Sequence, residues 1–234
     1  MFYFIFNNKK NTDLGIQVVK RPNIPIPERN IELKSLKGRD GSLTRDYKTY
    51  NDIKISVSLN FISGENDFIN KGAEIANWLY NINDNKLIFS DNDKFYYKVK
   101  KIECKDIERS LKVIGKFIVT FVCDPYKYYI DNNEIEITNS TEIVSPILVE
   151  TSKPLITVFG TGDIDLTINN KKVQLEKIDG SITIDSSIKE CYKEKENLSY
   201  RMIGEFPKLI RGKNTINING NIEKIIIKPN WRCL

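Results

Sequence analysis

The sequence predicts an α+β domain, rich in strands and carrying one helix, followed by an all-β sandwich or barrel. Three observations lead there. Strict alternation of apolar and polar side chains marks the first half. A single stretch within it switches to helical spacing. Beyond about Tyr129 helical spacing disappears, and short strand-like runs recur about every 8–12 residues. The 234 residues suit two domains of roughly 100–150 residues each, and the change in pattern places them at 1–128 and 129–234.

The opening "MFYFIFNNKK" has an apolar run, Phe2 to Phe6, too short for the core of a signal peptide. No basic residue precedes it and no small-residue cleavage site follows, so it reads as an opening strand of a chain made and folded in a cytoplasm. In "IKISVSLNF", Ile53, Ile55, Val57, Leu59 and Phe61 share one face while Lys54, Ser56, Ser58 and Asn60 share the other, the mark of a half-buried strand. Phe68, Gly72, Ile75, Ala76 and Leu79 then fall at helical spacing, flanked by Trp78, with Asn66 or Asp67 as N-cap. Docking on a sheet must hold this helix, because propensity alone stabilises a short helix poorly.

"KLIFS", a polar turn at 91–93 and "KFYYKVKKIE" pair as a hairpin. "KVIGKFIVTFVCDPY" places Val113, Gly115, Phe117, Val119, Phe121 and Cys123 on one side and Ile114, Ile118 and Val122 on the other. That implies a central strand or one covered on both faces. In the second half the runs "EIEIT", "PILVE", "LITVF", "IDLTI", "KVQLE", "SITID", "NTINI" and "EKIIIKP" read as strands. The pairs Gly160/Gly162, Asn169-Asn170, Asp179-Gly180 and Asn219-Gly220 read as the turns between them.

Composition excludes several functions. Hydrophobic residues make up 40% and charged residues 29%, enough for packed cores and too ordered for a disordered chain. The formal net charge is +5, but acidic and basic residues are interspersed without a basic run, so no sequence-specific nucleic-acid partner is implied. No stretch approaches the roughly 18 apolar residues of a membrane span. The cysteines, Cys104, Cys123, Cys191 and Cys233, form no C-x-x-C pair and read as free thiols in or near the core. Histidine is absent, which removes Ser-His and Cys-His nucleophile pairs and the commonest zinc ligand. "GTGD" at 160–163 lacks the third glycine and following helix of a dinucleotide loop, and "RGKNT" at 211–215 has Pro207 where a phosphate loop needs glycine. The carboxylate pairs Asp91/Asp93, Glu134/Glu136 and Asp163/Asp165 fit the solvent face of half-buried strands better than acid–base or calcium chemistry. No catalytic residue, metal ligand or cofactor site is expected, and the chain is not read as an enzyme.

Tyr126, Tyr128 and Tyr129 stand together at the presumed domain junction. They either cover that seam or offer a surface for sugar rings or a protein partner. In "FPKLIRGKN", Phe206 and Leu209 read as plugs at the base of the sandwich. Pro207 fixes the approach, Gly212 makes the turn into the strand of Ile216 and Ile218, and Asn214 bonds local backbone. Trp231 and Arg232 are expected to bring the chain end back toward the first domain.

Two stretches carry a family resemblance. "IPIPERNIELKSLKGRDGSL", Ile24 to Leu43, has a Pro-containing approach, a strand and a Gly38-Arg39-Asp40-Gly41 turn, and it resembles the N-terminal signature of siphophage distal tail proteins, the Dit family. The set Phe206, Pro207, Gly212, Asn214, Gly220 and Trp231-Arg232 resembles the end of that family's second domain, and Pro146, Pro154, Gly160 and Asp163 resemble its opening strands. The resemblance spans nearly the whole chain in order. It implies a non-enzymatic structural protein of the virion tail tip, with first domains forming a hexameric ring of identical copies and galectin-like β-sandwiches projecting outward. The implied partners are further copies of itself, the major tail tube protein, the tail-associated hub protein and, in some relatives, receptor-binding components of the baseplate. The Gly38–Gly41 turn is either a simple hairpin bend or a rigid tip through which Arg39 pairs a carboxylate on a neighbouring copy; the two are compatible. The alternative function is a carbohydrate-binding sandwich for host-surface recognition. Galectin-type sugar sites use a histidine and a stacking tryptophan, and here histidine is absent and the late tryptophan, Trp231, stands near the chain end.

Overall fold

A computed structural model describes residues 2–64 and 66–234. The chain divides into two compact units, Met1–Lys127 with Leu234, and Tyr128–Cys233. Each has its own core.

In the first unit the sheet runs in the order Lys9–Lys10, Phe4–Phe6, Lys86–Phe89, Phe95–Leu111, Ile114–Tyr129, Ile53–Ile62, Ile16–Lys20. The alternation read from the sequence sets its inner face. Ile53, Ile55, Val57, Leu59 and Phe61 are buried and pair in register with Cys123, Phe121, Val119, Phe117 and Gly115. Gly115 is required there, since a Cβ at that position would stand 2.3 Å from the Phe61 ring. The strand Ile114–Tyr129 is central, but its other face is not covered within the unit, and Ile118 is exposed.

The helix Phe68–Tyr80 lies on the inner face through Ile75, Trp78 and Leu79. Ala76, expected on the buried stripe, is exposed; the bulk of Trp78 takes the facing position and turns Ala76 outward. Asn7, at the end of the first strand, holds the helix C-terminus. Its Nδ2 donates to the carbonyls of Trp78 (3.0 Å) and Asn81 (2.7 Å), and its Oδ1 accepts from the amide of Asn83 at 2.8 Å. Carbonyls that helix geometry leaves without partners are thereby bonded.

The second unit is built on three long strands, Leu155–Ile168, Lys171–Asp185 and Lys213–Lys228. Leu155–Ile168 pairs with the other two along its whole length, and each of those takes different outer neighbours along its two halves. One end of Lys213–Lys228 pairs with Ile135–Ile137 and the other with Thr141–Val144. One end of Lys171–Asp185 pairs with Glu190–Lys193 and the other with Met202–Gly204. The inward residues of both halves, among them Ile156, Val158, Ile164, Leu166, Ile182, Ile184, Ile216, Ile225 and Ile227, close on one core.

This corrects the reading of three turns. Gly160/Gly162, Asp179-Gly180 and Asn219-Gly220 do not reverse the chain but lie inside long strands, where pairing slips at Phe159/Gly160, Thr161/Asp165 and Gly162/Ile164. Bulges of this kind bend a strand and raise its twist without ending it. Asn169-Asn170, with φ of 51° and 65°, is a true two-residue hairpin turn. "PILVE" is likewise not a strand. Pro146 has no amide to give a ladder, the strand ends at Val144, and Pro146 to Val149 form a turn closed by the Val149 amide on the Pro146 carbonyl at 3.2 Å.

Candidate interaction surface

Strands Arg29–Ser35 and Ser42–Tyr50 form a two-stranded sheet of their own, outside the main sheet of the first unit. Every residue of the two strands except Asn30 and Tyr50 is exposed. Ile31, Leu33, Leu43 and Tyr47 are among them, Leu33 at 66%. A lone hairpin is marginal in water, and this one is laced across its strands: Arg29 pairs with Asp46 at 2.7 Å and the Tyr47 hydroxyl donates to Glu32 at 2.6 Å. The Arg29 guanidinium, first through its hydrogen bond, holds the Asp46 carboxyl below the usual range. Gly38 (φ 82°) and Gly41 (φ 76°) form the tip, in left-handed backbone that favours glycine, and present Arg39 and Asp40 to solvent. We refer to this hairpin as the arm.

At the arm's root the Asn51 amide donates to the Glu28 carbonyl at 2.9 Å and the Tyr50 ring meets Tyr126 edge-on at 5.9 Å. Lys100 reaches both Asp52 and Asp124, at 2.7 Å each. Partial burial works against the Lys100 charge, but hydrogen bonds to Asp124 and Asp52 outweigh it and raise the ammonium above the ordinary lysine range.

The three junction tyrosines part company. Tyr126 belongs to the first unit, and Tyr128 and Tyr129 to the second, where Tyr129 packs against the core. The Trp231 side chain is buried in the second core, while the residues that follow it, Arg232–Cys233, pair with the strand Ile114–Tyr129. The backbone explains this. The Trp231 amide donates to Asn132 Oδ1 at 2.6 Å and its carbonyl accepts from the Tyr129 amide at 3.1 Å, which turns the indole into the second unit. Arg232 Nε donates to the Thr151 carbonyl at 3.0 Å.

Asn214 is fully buried in the corner of the second unit. Its Oδ1 accepts from the Ile210 amide (2.7 Å) and from Asn169 Nδ2 (2.7 Å), and its Nδ2 donates to the carbonyls of Ile210 (2.9 Å) and Gly212 (3.2 Å). Gly212 turns with φ 86°, Pro207 is buried, and Phe206 packs against the core. The polar groups of Asn214 are thus bonded within the corner itself. Of the carboxylates considered for chemistry, Glu136 pairs with Lys224 at 3.1 Å and Asp165 with Lys172 at 3.0 Å, while Asp163 accepts the Lys177 amide at 2.9 Å. Among the described residues no group of three or more His, Cys, Asp or Glu could hold a metal ion, and no helix is long and apolar enough to cross a membrane.

The surface that stands out is therefore the arm, which the sequence showed only in part. "NIELKS" alternates, but neither it nor "SLTRDYKTY" has the apolar residues of a covered strand. The signal was that shortage, together with the prolines at 22, 25 and 27 that set the segment off.

A family model described as the phage tail protein N-terminal domain matches residues 1–125, more than half of the chain. The chain belongs to that family. Among solved structures, this tail protein is similar to the crystal structure of Dit (gp 19.1) of phage SPP1, with a TM-score of 0.69 and 14% identity, over 100% of this chain and 98% of that one. That structure is described as a paradigm of the hub adsorption apparatus in phages infecting Gram-positive bacteria. At that identity the likeness establishes the fold, and it bears out the resemblance to distal tail proteins. No curated protein sequence matches.

Proposed function

We propose that this tail protein is the distal tail ring component of its virion. Copies of the first unit close into a hexameric ring that joins the tail tube to the tail-tip hub, and the second unit faces the baseplate or receptor-binding components. The observation that carries this reading is the arm. Its apolar side chains, Ile31, Leu33, Leu43 and Tyr47, are exposed on a two-stranded sheet that stands outside the main sheet. Exposed apolar groups on a projecting element mark a surface made for a partner. A neighbouring copy is the economical partner, because one arm per copy reaching the next gives a head-to-tail contact that closes by rotation. Gly38, Arg39, Asp40 and Gly41 at the tip then meet the neighbour, with Arg39 on one of its carboxylates. A ring that stays closed as DNA passes needs contacts on the order of 2,000 Å² or more per interface. Full-length overlap with the SPP1 Dit fold supports the same reading.

Charge placed on the arm tests it. Leu33→Glu with Leu43→Glu should leave thermal unfolding within about 0.5 kcal/mol, as for exposed sites, and abolish higher oligomers. Arg39→Glu should lower the oligomer fraction without unfolding the chain. Oligomers of unchanged size in both variants would remove the arm from the interface.

A further inference from the structure

The arm leaves the first sheet where two aspartates oppose each other. Ile53 and Cys123 form the end of the register between their strands. Asp52 and Asp124 lie one residue further out, and Tyr50 and Tyr126, whose rings meet at 5.9 Å, lie two beyond those. Like charges facing each other on paired strands destabilise the pairing. Lys100, from the neighbouring strand Phe95–Leu111, places its ammonium 2.7 Å from both carboxylates and turns the repulsion into a bridge across three strands. The Lys100 side chain is 46% exposed, so each pair alone is weak. What matters is the sign: this cation draws together two aspartates that repel each other.

We infer that Lys100 is an electrostatic latch that keeps the arm's root closed and fixes the direction in which the arm projects. Its consequence for assembly rests on the proposed ring; the latch itself is a property of the single chain. Screening makes a distinctive mark, because salt weakens attraction and repulsion alike. Salt should loosen the wild-type root, whereas in Lys100→Met, where the facing aspartates have lost this cation, it should tighten it.

Amide hydrogen exchange at residues 50–53, 123, 124 and 126 of the full-length chain, at low and high sodium chloride, tests this. Lys100→Met should exchange about fivefold faster than wild type at low salt, the ratio of a contact worth about 1 kcal/mol, and slow as salt rises. Adding Asp52→Asn should restore slow exchange, and Lys100→Arg should behave as wild type. Equal exchange in wild type and Lys100→Met, or no rescue by Asp52→Asn, overturns the latch. If Lys100→Met unfolds the sheet, seen as lost protection at Val57 and Val119, the wild type decides: root exchange insensitive to salt overturns it. Light scattering on the same samples separates the two claims. A salt-sensitive root in a chain that never assembles keeps the latch and sinks the ring.

Discussion

The Trp78 indole N–H donates to the main-chain carbonyl of Phe6 at 3.0 Å, across 72 residues of sequence. The Trp78 ring also stacks on Phe4 with centroids 5.8 Å apart and meets Phe6 edge-on. One side chain thus ties the helix to the opening strand by packing and by hydrogen bonding. Trp78→Phe keeps most of the burial but leaves a buried carbonyl without this partner, at a cost of about 1–3 kcal/mol. Trp78→Ala should cost about 3–5 kcal/mol. Urea unfolding followed by circular dichroism measures both, and a Trp78→Phe midpoint equal to wild type would show that the hydrogen bond contributes nothing.

Asn214 makes the matching prediction for the second unit. An Asp there is nearly the same size, but it cannot donate to the carbonyls of Ile210 and Gly212 and it buries a charge. Asn214→Asp and Asn214→Ala should each destabilise the second unit by at least about 1–3 kcal/mol. Selective loss of hydrogen-exchange protection at residues 209–216, with the first unit unchanged, is the expected result.

The thiols give a test that needs no variant. Burial pushes Cys123 up to about 12 and Cys191 up to about 11, and burial with the nearby Asp106 charge raises Cys104. Thiolate is the reactive form, so at pH 8 the native chain should react slowly with a disulfide reagent. Cys104, the only one of the four that is partly exposed, should react first. All four should titrate at once in guanidinium. A fast-reacting thiol in the native chain would contradict the packing around these residues.

The first unit was the more legible. The alternation of Ile53 to Phe61 and the inward set Phe117 to Cys123 were readable because a sheet with one buried face writes its period into the sequence. The second unit was legible in class but not in path. Glycine pairs that usually reverse a chain here bend continuing strands, and whether a glycine turns or bulges depends on the strand lying beside it, as at Gly160 beside Ile222. At the chain end a terminal aromatic says that it will be buried, not in which core; the Trp231 amide donating to Asn132 and its carbonyl accepting from Tyr129 set its side chain in the second core, while Arg232–Cys233 pairs with Ile114–Tyr129. The arm was hardest to read, since a surface intended for another copy follows neither the pattern of a core strand nor that of a solvated one.

The central claim is that the chain closes on itself through the arm. Mass by multi-angle light scattering over a range of concentrations, with negative-stain images of the same fractions, tests it most directly. A closed ring with a mass about six times the 27.1 kDa of one chain is expected, reduced to single chains by Leu33→Glu with Leu43→Glu. A wild-type ring that survives both substitutions, or a single-chain mass at every concentration, would contradict it.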